Sequence, residues 1–300
     1  MGPAFHPQSP QAAAIAALFS GVLILAAAIF AIVAAVVIYA ILRYRARKGA
    51  GAPAQTFGSR RLEMLWTALP LLIVSGLFVL TVRTMASVEA PQNGLRQPDL
   101  EIIGRQWWWE ARYSNGAMAV GEIHIPVGRR LLARVESPDV IHDFWAPELA
   151  RKIDAVPGTP GYIWLEADRP GTYLGACAEF CGAQHAGHRF EVIAEPEAQF
   201  AAWLARQAED AAPPPQAWLA NKCGDCHSLA GIERRTMKGP TLAHIASRAT
   251  LGGGPLPNNP VNLASWVVTP QSVKPGVLMP DQHLSTADAN AITAYLSSLR

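Results

Sequence analysis

The chain has 300 residues, of which 50% are hydrophobic and 16% are charged. This length predicts two or three structural units rather than one small domain, and the hydrophobic composition indicates segments that cross a membrane. The formal net charge is only +2, which excludes the strongly basic composition of a nucleic-acid-binding protein. We therefore expect a multidomain membrane protein without a nucleic-acid partner.

Two long apolar segments lie within residues 1–90. One covers residues 12–42; the other, which contains Pro70, covers residues 65–82 and predicts a helix over about residues 63–85. Each is long enough to span the roughly 30 Å hydrocarbon core of a bilayer as a helix. We predict a two-helix transmembrane hairpin, with Pro70 near the start of the second helix, where a proline is tolerated better than in the middle. A buried helix of a soluble domain is the alternative for either segment.

The charges between the two segments predict their orientation. All charged residues of this loop are basic: Arg43, Arg45, Arg47, Lys48, Arg60 and Arg61. Because loops rich in Lys and Arg stay in the cytoplasm, both chain termini are expected on the other side of the membrane. Everything after the second helix is then extracytoplasmic as well.

Residues 91–206 have the composition of a β domain. Three stretches are rich in β-branched and aromatic residues and predict strands: residues 130–137, 161–168 and 188–195. Several such strands, separated by Gly and Pro turns, indicate a β-sandwich or a small barrel. A helix is expected after Pro196, with three apolar residues on one face: Phe200, Trp203 and Leu204.

The four cysteines form two close pairs, and a histidine follows each pair. The first pair lies in the stretch CAEFCGAQHAGHRF, which holds four candidate metal ligands: Cys177, Cys181, His185 and His188. A tetrahedral zinc site would use all four, whereas a mononuclear blue-copper site needs only one cysteine. Two thiolates can also bridge two copper ions, which requires a distant histidine such as His142. A local disulfide within each pair would leave the histidines unexplained.

Three stretches, together with the preceding hairpin, resemble cytochrome c oxidase subunit II. These stretches are GRQWWWEARY, DVIHDFWAPELARKIDAVPG and CAEFCGAQH. The resemblance implies an all-β, cupredoxin-like domain that holds the binuclear copper centre CuA. By motif position, the implied ligands are the terminal imidazoles of His142 and His185, the bridging thiolates of Cys177 and Cys181, and the backbone carbonyl of Glu179.

His188 departs from the family pattern, which has a methionine at this position. Imidazole is a stronger and harder donor than a thioether. His188 could ligate copper and lower its potential, turn away and leave one copper with fewer ligands, or belong to a rearranged site for another metal. We expect that it replaces the methionine as a copper ligand.

The resemblance also implies contacts with subunit I. The side chain of Glu179 would reach a magnesium ion at the interface with subunit I, a role that suits a carboxylate. A solvated loop acid is the simpler interpretation of the same residue. Lys152 and Asp154 match a family motif close to the subunit I surface, and an ordinary surface ion pair is the alternative.

A run of three tryptophans precedes the metal motifs. On a strand, Trp107 and Trp109 would share one face and Trp108 would lie on the other. Packing within the sheet is the ordinary role of such residues. By resemblance, Trp107 occupies the position at which electrons enter the copper centre.

A cytochrome domain is predicted over residues 217–300, after a proline-rich linker at residues 207–216. Cys223, Cys226 and His227 form C-x-x-C-H, the attachment pattern for haem c. The two thiols bond the haem covalently, and the histidine is the proximal iron ligand. The expected fold is an all-α class I cytochrome c.

The sixth iron ligand must come from another part of this domain, where Met237 and Met279 are the candidates. Class I cytochromes c resemble the order found here, with the haem motif, G-P-x-L, a methionine before proline and a terminal helix. The resemblance implies Met279 as axial ligand and the Pro240 carbonyl as the group that orients the proximal histidine. The terminal helix is expected to begin at Ser285, with Asp288 as its capping-box partner.

The stretch TLGGGPLPNNPVNLASWVVTPQSVKPGVLMP resembles the cytochrome c extension of subunit II in caa-type oxidases. This implies that haem c takes electrons from an upstream cytochrome or respiratory complex and that CuA passes them to the haem of subunit I. Subunit I, with subunit III as a further partner, would reduce dioxygen to water and pump protons in a bacterial cytoplasmic (inner) membrane. Two alternatives remain: a subunit of a CuA-containing nitric oxide reductase, and a membrane-anchored electron shuttle.

Overall fold

The computed structural model describes residues 4–45, 49, 55, 58–92, 96–209, 223–228, 238–254 and 256–300. The chain divides into two compact units: residues 13–88, and the residues up to Ala12 together with Glu89–Arg300. Met237 and most of the expected linker, residues 210–216, lie outside the described residues. The domain boundaries given above stay predictions.

Two long helices form the first unit. Their bounds are Pro10–Arg43 for α1 and Arg60–Val88 for α2, slightly longer at each end than predicted. Both are long and apolar enough to cross a membrane, and large apolar side chains such as Phe30 and Leu72 are exposed along them. Pro70 lies well inside α2 rather than near its start, because the helix begins at Arg60, before the apolar segment.

Two five-stranded sheets form the domain that follows. Their strands are β1 Leu100–Arg105, β2 Trp108–Tyr113, β3 Met118–Val120, β4 Glu122–Pro126, β5 Leu131–Glu136, β6 His142–Trp145, β7 Ile153–Ala155, β8 Gly161–Leu165, β9 Gly171–Cys177 and β10 Arg189–Glu195. The sheet orders are β3-β2-β1-β5-β8 and β4-β10-β9-β6-β7, and the β1–β5 and β4–β10 pairs are parallel. The predicted cupredoxin-like sandwich is confirmed.

Aromatic side chains from both sheets fill the space between them. The ring of Trp109 lies 5.5 Å from that of Phe144 and 5.4 Å from that of Phe190, and the two phenylalanine rings stack at 4.4 Å. All three are at most 2% exposed. Helix α3, Glu197–Gln207, closes the domain and buries Phe200 and Trp203, as the sequence predicts.

The tryptophan run does not form one strand. Arg105 pairs with Trp108 at the end of the β1–β2 hairpin, so Gln106 and Trp107 form its two-residue turn. The predicted alternation of Trp107 and Trp109 on one strand face is therefore wrong, because two residues are needed to reverse the chain. Trp109 packs in the core, whereas the guanidinium of Arg105 lies over the ring of Trp108 at 5.4 Å.

Short helices build the described part of the cytochrome domain. They are α4 Pro260–Val268, α5 Pro270–Val273 and α6 Thr286–Ser298, and a small antiparallel pair joins β11 Thr250–Leu251 to β12 Leu256–Pro257. The side chain of Ser285 caps α6 by accepting a hydrogen bond from the backbone N–H of Asp288 at 3.1 Å, at the predicted position. Leu263, Val267 and Leu296 belong to a shared apolar core.

Gly175 on β9 tests how tightly the sandwich is packed. A Cβ at this position would lie 2.2 Å from two carbon atoms of the Phe190 ring. We expect Gly175→Ala to lower the free energy of unfolding by about 1–3 kcal/mol, the usual cost of overpacking. Denaturation of the purified chain, followed by tryptophan fluorescence, measures it.

The double variant Gly175→Ala/Phe190→Leu supplies the control, because the smaller leucine makes room for the new methyl group. Its loss of stability should be less than the sum of the two single losses. Purely additive losses would show that the two residues do not compete for space.

Candidate metal centre and cytochrome cavity

Two cysteine sulfurs face each other where β9 ends. Cys177 is the last residue of β9 and Cys181 lies in the following loop, with their Sγ atoms 3.7 Å apart. A disulfide would require about 2.05 Å, and Cys177 and Cys181 are not joined by one. The alternative of a local disulfide is therefore wrong for this pair. Both sulfurs are buried and are available as ligands.

Three imidazoles surround the two sulfurs. Nδ1 of His142 lies 3.9 Å from the Cys177 sulfur, and Nδ1 of His185 and of His188 each lie 3.6 Å from the Cys181 sulfur. The ligand atoms of four residues lie within 4.8 Å of one another: His142, Cys177, Cys181 and His188. This group includes the distant histidine and omits His185, so it differs from the purely local zinc set considered above.

His188 points into the centre and is fully buried. Its ring stacks on Trp109 at 4.9 Å with an interplanar angle of 17°, and it meets the ring of His142 edge-on at 4.9 Å. Burial lowers the pKa of His188, so the ring is held in its neutral form, the form that binds metals.

The two thiols behave as one titrating pair. The hydrogen bond between them lowers the pKa of Cys177, and the same hydrogen bond raises the pKa of Cys181. The hydrogen bond therefore favours the thiolate at Cys177 and the protonated thiol at Cys181. The backbone carbonyl of Glu179 lies 3.2 Å from the Cys177 sulfur, on the rim of the same group.

The β1–β2 turn lies directly against this loop. Nε1 of Trp107 donates a hydrogen bond to the carbonyl of Cys181 at 3.0 Å, and the side-chain amide of Gln106 donates to the same oxygen at 2.8 Å. Trp107 is thus one hydrogen bond away from the main chain of a predicted ligand. The sequence motif indicated Trp107 but gave no reason for a contact with Gln106.

A cavity in the cytochrome domain contains the second set of predicted residues. We call it the cytochrome cavity; its lining includes Cys223, Cys226, His227, Met279, Leu242, Leu263, Trp266 and Ile292. Nδ1 of His227 lies 2.7 Å from the Pro240 carbonyl, as predicted. A Cβ on Gly239 would lie 2.6 Å from the His227 ring, so this position has room only for glycine.

The loop that carries Met279 is fixed by one side chain. The amide of Gln271 donates to the carbonyls of Val277 and Met279, both at 2.7 Å. Its backbone N–H donates to Asp281 at 3.2 Å. The methionine is therefore presented on an ordered loop that borders the same cavity as the C-x-x-C-H motif.

Comparison with known proteins tells which family these sites belong to. Three family models match in chain order: the transmembrane domain of cytochrome c oxidase subunit II over residues 5–83, its periplasmic domain over 117–194, and cytochrome c over 214–300. Cytochrome c oxidase subunit 2 of Alkalihalophilus pseudofirmus is 33% identical over 315 residues, covering 99% of this chain and 90% of that protein. The chain belongs to the cytochrome c oxidase subunit II family.

A second relative agrees with this assignment. Cytochrome c oxidase subunit 2 of Bacillus sp. (strain PS3) is 30% identical over 285 residues, covering 86% of this chain and 80% of that protein. The crystal structure of the periplasmic domain of subunit II from Bradyrhizobium japonicum covers 38% of this chain and 96% of that chain, with 27% identity and a TM-score of 0.36. The predicted subunit II with a fused cytochrome c domain is confirmed.

The match to the subunit II domain implies a copper centre and the match to cytochrome c implies a haem c, and the side chains fit both groups. Buried thiol and neutral imidazole donors suit copper, and no carboxylate lies in the four-residue group. In the cytochrome cavity, the apolar lining and the paired thiols suit a covalently bound haem. This subunit II therefore has donor sets suited to two redox cofactors.

Lys152 pairs differently from the expected surface ion pair. Its ammonium lies 3.3 Å from the carboxylate of Asp143, the residue after His142. Asp154 is directly opposite Asp143 in the β6–β7 register. Burial, together with the neighbouring Asp154, raises the pKa of Asp143 to about 7. The Lys152 ammonium therefore pairs with the carboxylate of Asp143 rather than with that of Asp154.

Asp139 is a site residue that the sequence motifs missed. Its Oδ1 atom lies 2.8 Å from Nε2 of His142, on the far side of the ring from the sulfurs. Burial alone would raise the pKa of Asp139, but the hydrogen bonds from His142 and from the backbone N–H groups of Gln106 and Val140 lower it. An acid three residues before a predicted histidine ligand is the signal that could have revealed it.

Removal of the Asp139 carboxylate should loosen the His142 ring. We expect Asp139→Ala to weaken copper binding by about 10–100-fold, as is usual when the partner of a ligating histidine is lost. A competition titration with a copper chelator on the metal-stripped subunit measures this change. Asp168→Ala removes an exposed acid from the β8–β9 loop and should leave the affinity unchanged. Equal affinities for all three proteins would contradict this role for Asp139.

Proposed function

We propose that this subunit is where electrons enter a haem-copper terminal oxidase. The cytochrome domain would hold a haem c that takes electrons from an external donor, and the metal centre would hold CuA, from which electrons would pass to the haem of subunit I for the reduction of dioxygen to water with proton pumping. One observation carries this proposal: the cytochrome cavity is bordered by Trp107 and Trp108, and Trp107 also contacts the loop of the metal centre. A single turn thus separates the two redox sites.

The copper ligands are proposed from the two groups of donor atoms around the sulfurs. His142 and His188 belong with both cysteines to the group of four and would hold one ion. The same two cysteines, with His185 and the carbonyl of Glu179 at the rim, would hold the second ion. When bound, the copper centre takes up and releases one electron, with no proton or leaving group.

The haem ligands are proposed from the residues that line the cytochrome cavity. Cys223 and Cys226 bond the haem, His227 is the proximal ligand, and Met279 is the sixth ligand. The Pro240 carbonyl holds Nδ1 of His227, which leaves Nε2 for the iron. Gln271 holds the main chain of Met279, which limits the movement of the sixth ligand.

The proposed partner is subunit I. Two exposed apolar side chains, each next in sequence to a proposed copper ligand, support a contact at this surface. Phe180 is 77% exposed and Ile141 is 45% exposed, although large apolar side chains are usually buried. Glu179, next to Phe180, is also exposed and is the proposed ligand for a shared magnesium ion. Subunit III is a further proposed partner.

The orientation in the membrane follows from the charges beside the helices. The basic loop after α1 is proposed to face the cytoplasm, which places both soluble domains outside the bacterial inner membrane. The external donor, a cytochrome or respiratory complex, then reaches haem c from that side.

Metal and haem analysis of the assembled complex tests the proposal. The complex, purified through a tag on this subunit, should contain two coppers and one covalent haem for this chain and should give the EPR signal of a mixed-valence copper pair. It should also consume dioxygen. One zinc in place of copper would contradict the metal assignment. Reduction of nitric oxide without oxygen consumption would instead favour the nitric oxide reductase.

Replacement of His188 tests its role as a ligand. Imidazole favours oxidised copper more strongly than a thioether does, so we expect His188→Met to raise the potential of the copper centre and to change its EPR spectrum. A redox titration of the purified complex measures both. His6→Met, at an exposed position, is the control. If His188→Met behaves like the control, His188 is not a ligand.

A further inference from the structure

Lys274 is almost completely buried, although lysine is rarely buried without a partner. It follows α5 in the cytochrome domain and is only 2% exposed. Its Nζ atom donates to the carbonyl of Gly252 at 2.6 Å and to that of Trp107 at 3.0 Å, and the carbonyl of Gly187 lies at 3.5 Å. One ammonium group therefore joins the cytochrome domain to two loops of the cupredoxin-like domain.

Both loops lie next to the metal centre. Trp107 forms the turn that contacts Cys181, and Gly187 precedes His188. Burial lowers the pKa of Lys274 to about 8, which reflects the cost of removing its charge from water. Carbonyl oxygens offset this cost by hydrogen bonding. The buried charge and the contact between the domains therefore depend on each other.

Glycines allow the main chains of the two domains to approach closely. At Gly253, whose φ is +76°, a Cβ would lie 2.6 Å from the carbonyl oxygen of Trp107. The carbonyl of Gly253 accepts a hydrogen bond from the backbone N–H of Arg189 at 3.3 Å. A side-chain contact between Gln184 and the carbonyl of Pro275 lies on the same border. A side chain at position 253 would push the domains apart.

The same border opens onto the cytochrome cavity. Lys274, Gly252 and Gly253 line this cavity together with Trp107 and His227. The ammonium group thus lies between the proposed haem and the proposed copper centre. Any rotation or separation of the domains would have to break its hydrogen bonds to the Trp107 turn.

We propose that Lys274 is a positioning residue that fastens the cytochrome domain to the Trp107 turn and so fixes the separation between haem c and the copper centre. This inference rests on the proposed function, because it takes both cofactors as given. Lys274 itself carries no electron. Its role is to keep the two centres close, because the rate of electron transfer falls steeply with distance.

The test compares Lys274→Met with the unchanged complex. Methionine has a similar length but lacks the three donors of the ammonium group. We expect the copper EPR signal and covalent haem to remain, while the equilibrium between docked and undocked domains shifts by about tenfold or more towards the undocked state, as expected for loss of hydrogen bonds to a charged group. Transfer from photoreduced haem c to the copper centre should slow accordingly. Hydrogen exchange at Arg189, whose N–H bonds to Gly253, should become faster.

Arg129→Met is the matched control, because it removes a half-exposed cation that pairs with Glu197. It should change neither the transfer rate nor the exchange at Arg189. If Lys274→Met also changes neither while both cofactors are present, the positioning role is overturned. Absence of the copper signal or of covalent haem in the unchanged complex would instead contradict the proposed function.

A disulfide between the two domains distinguishes loss of their contact from damage to the fold of either domain. A Cβ on Gly276 would lie 3.6 Å from the Cβ of Ala183 across the border, within the usual range for a disulfide. In the Lys274→Met background, Ala183→Cys with Gly276→Cys should restore fast transfer and slow exchange when oxidised, and lose both when reduced. Failure of the formed disulfide to restore either property would overturn the proposal.

Discussion

The carbonyl oxygen of Cys181 connects the metal centre to the β1–β2 hairpin and, through this hairpin, to the cytochrome domain. It accepts hydrogen bonds from Trp107 and Gln106, so the end of the β1–β2 hairpin is held against the loop that carries the thiols. The backbone carbonyl of Trp107, which lies in that hairpin turn, accepts a hydrogen bond from the ammonium group of Lys274. Segments that are far apart in the sequence therefore meet at two peptide groups, and the position of each segment constrains the others.

Two of the proposed ligands, His142 and Cys177, lie on strands, and backbone hydrogen bonds connect these strands to the loop that carries the other ligands. The N–H of Cys177 donates to the carbonyl of His188 at 2.9 Å, and that of Ala178 donates to the carbonyl of Asp143 at 3.0 Å. His142 begins β6, which pairs with β9. A site supported by strands keeps its geometry better than one built on free loops. Such rigidity suits a centre that changes its charge without changing its ligands.

The features that could be predicted best from the sequence are those that depend on the spacing of residues close together in the chain. The apolar segments, the C-x-x-C-H motif and the Ser285 cap each depend on neighbouring residues, and their placement follows from known periodicities. Trp107 could not be placed in a turn, because three tryptophans satisfy the pattern of a strand equally well. Lys274 gave no signal, because its carbonyl partners are main-chain atoms distant in the sequence. Asp139 could be recognised only after His142 had been identified.

The ring of His188 stacks on that of Trp109. Trp109 lies on β2, in one sheet, and His188 directly precedes β10, in the other sheet. A flat ring at 4.9 Å covers the indole face, whereas a methionine there would present a narrow, flexible chain to the same surface. An imidazole ring and a thioether chain have different shapes, so they pack differently against the indole of Trp109. A thioether at position 188 would therefore leave part of the Trp109 indole face uncovered, so the choice of donor at this position also decides how the core beside the metal centre is packed.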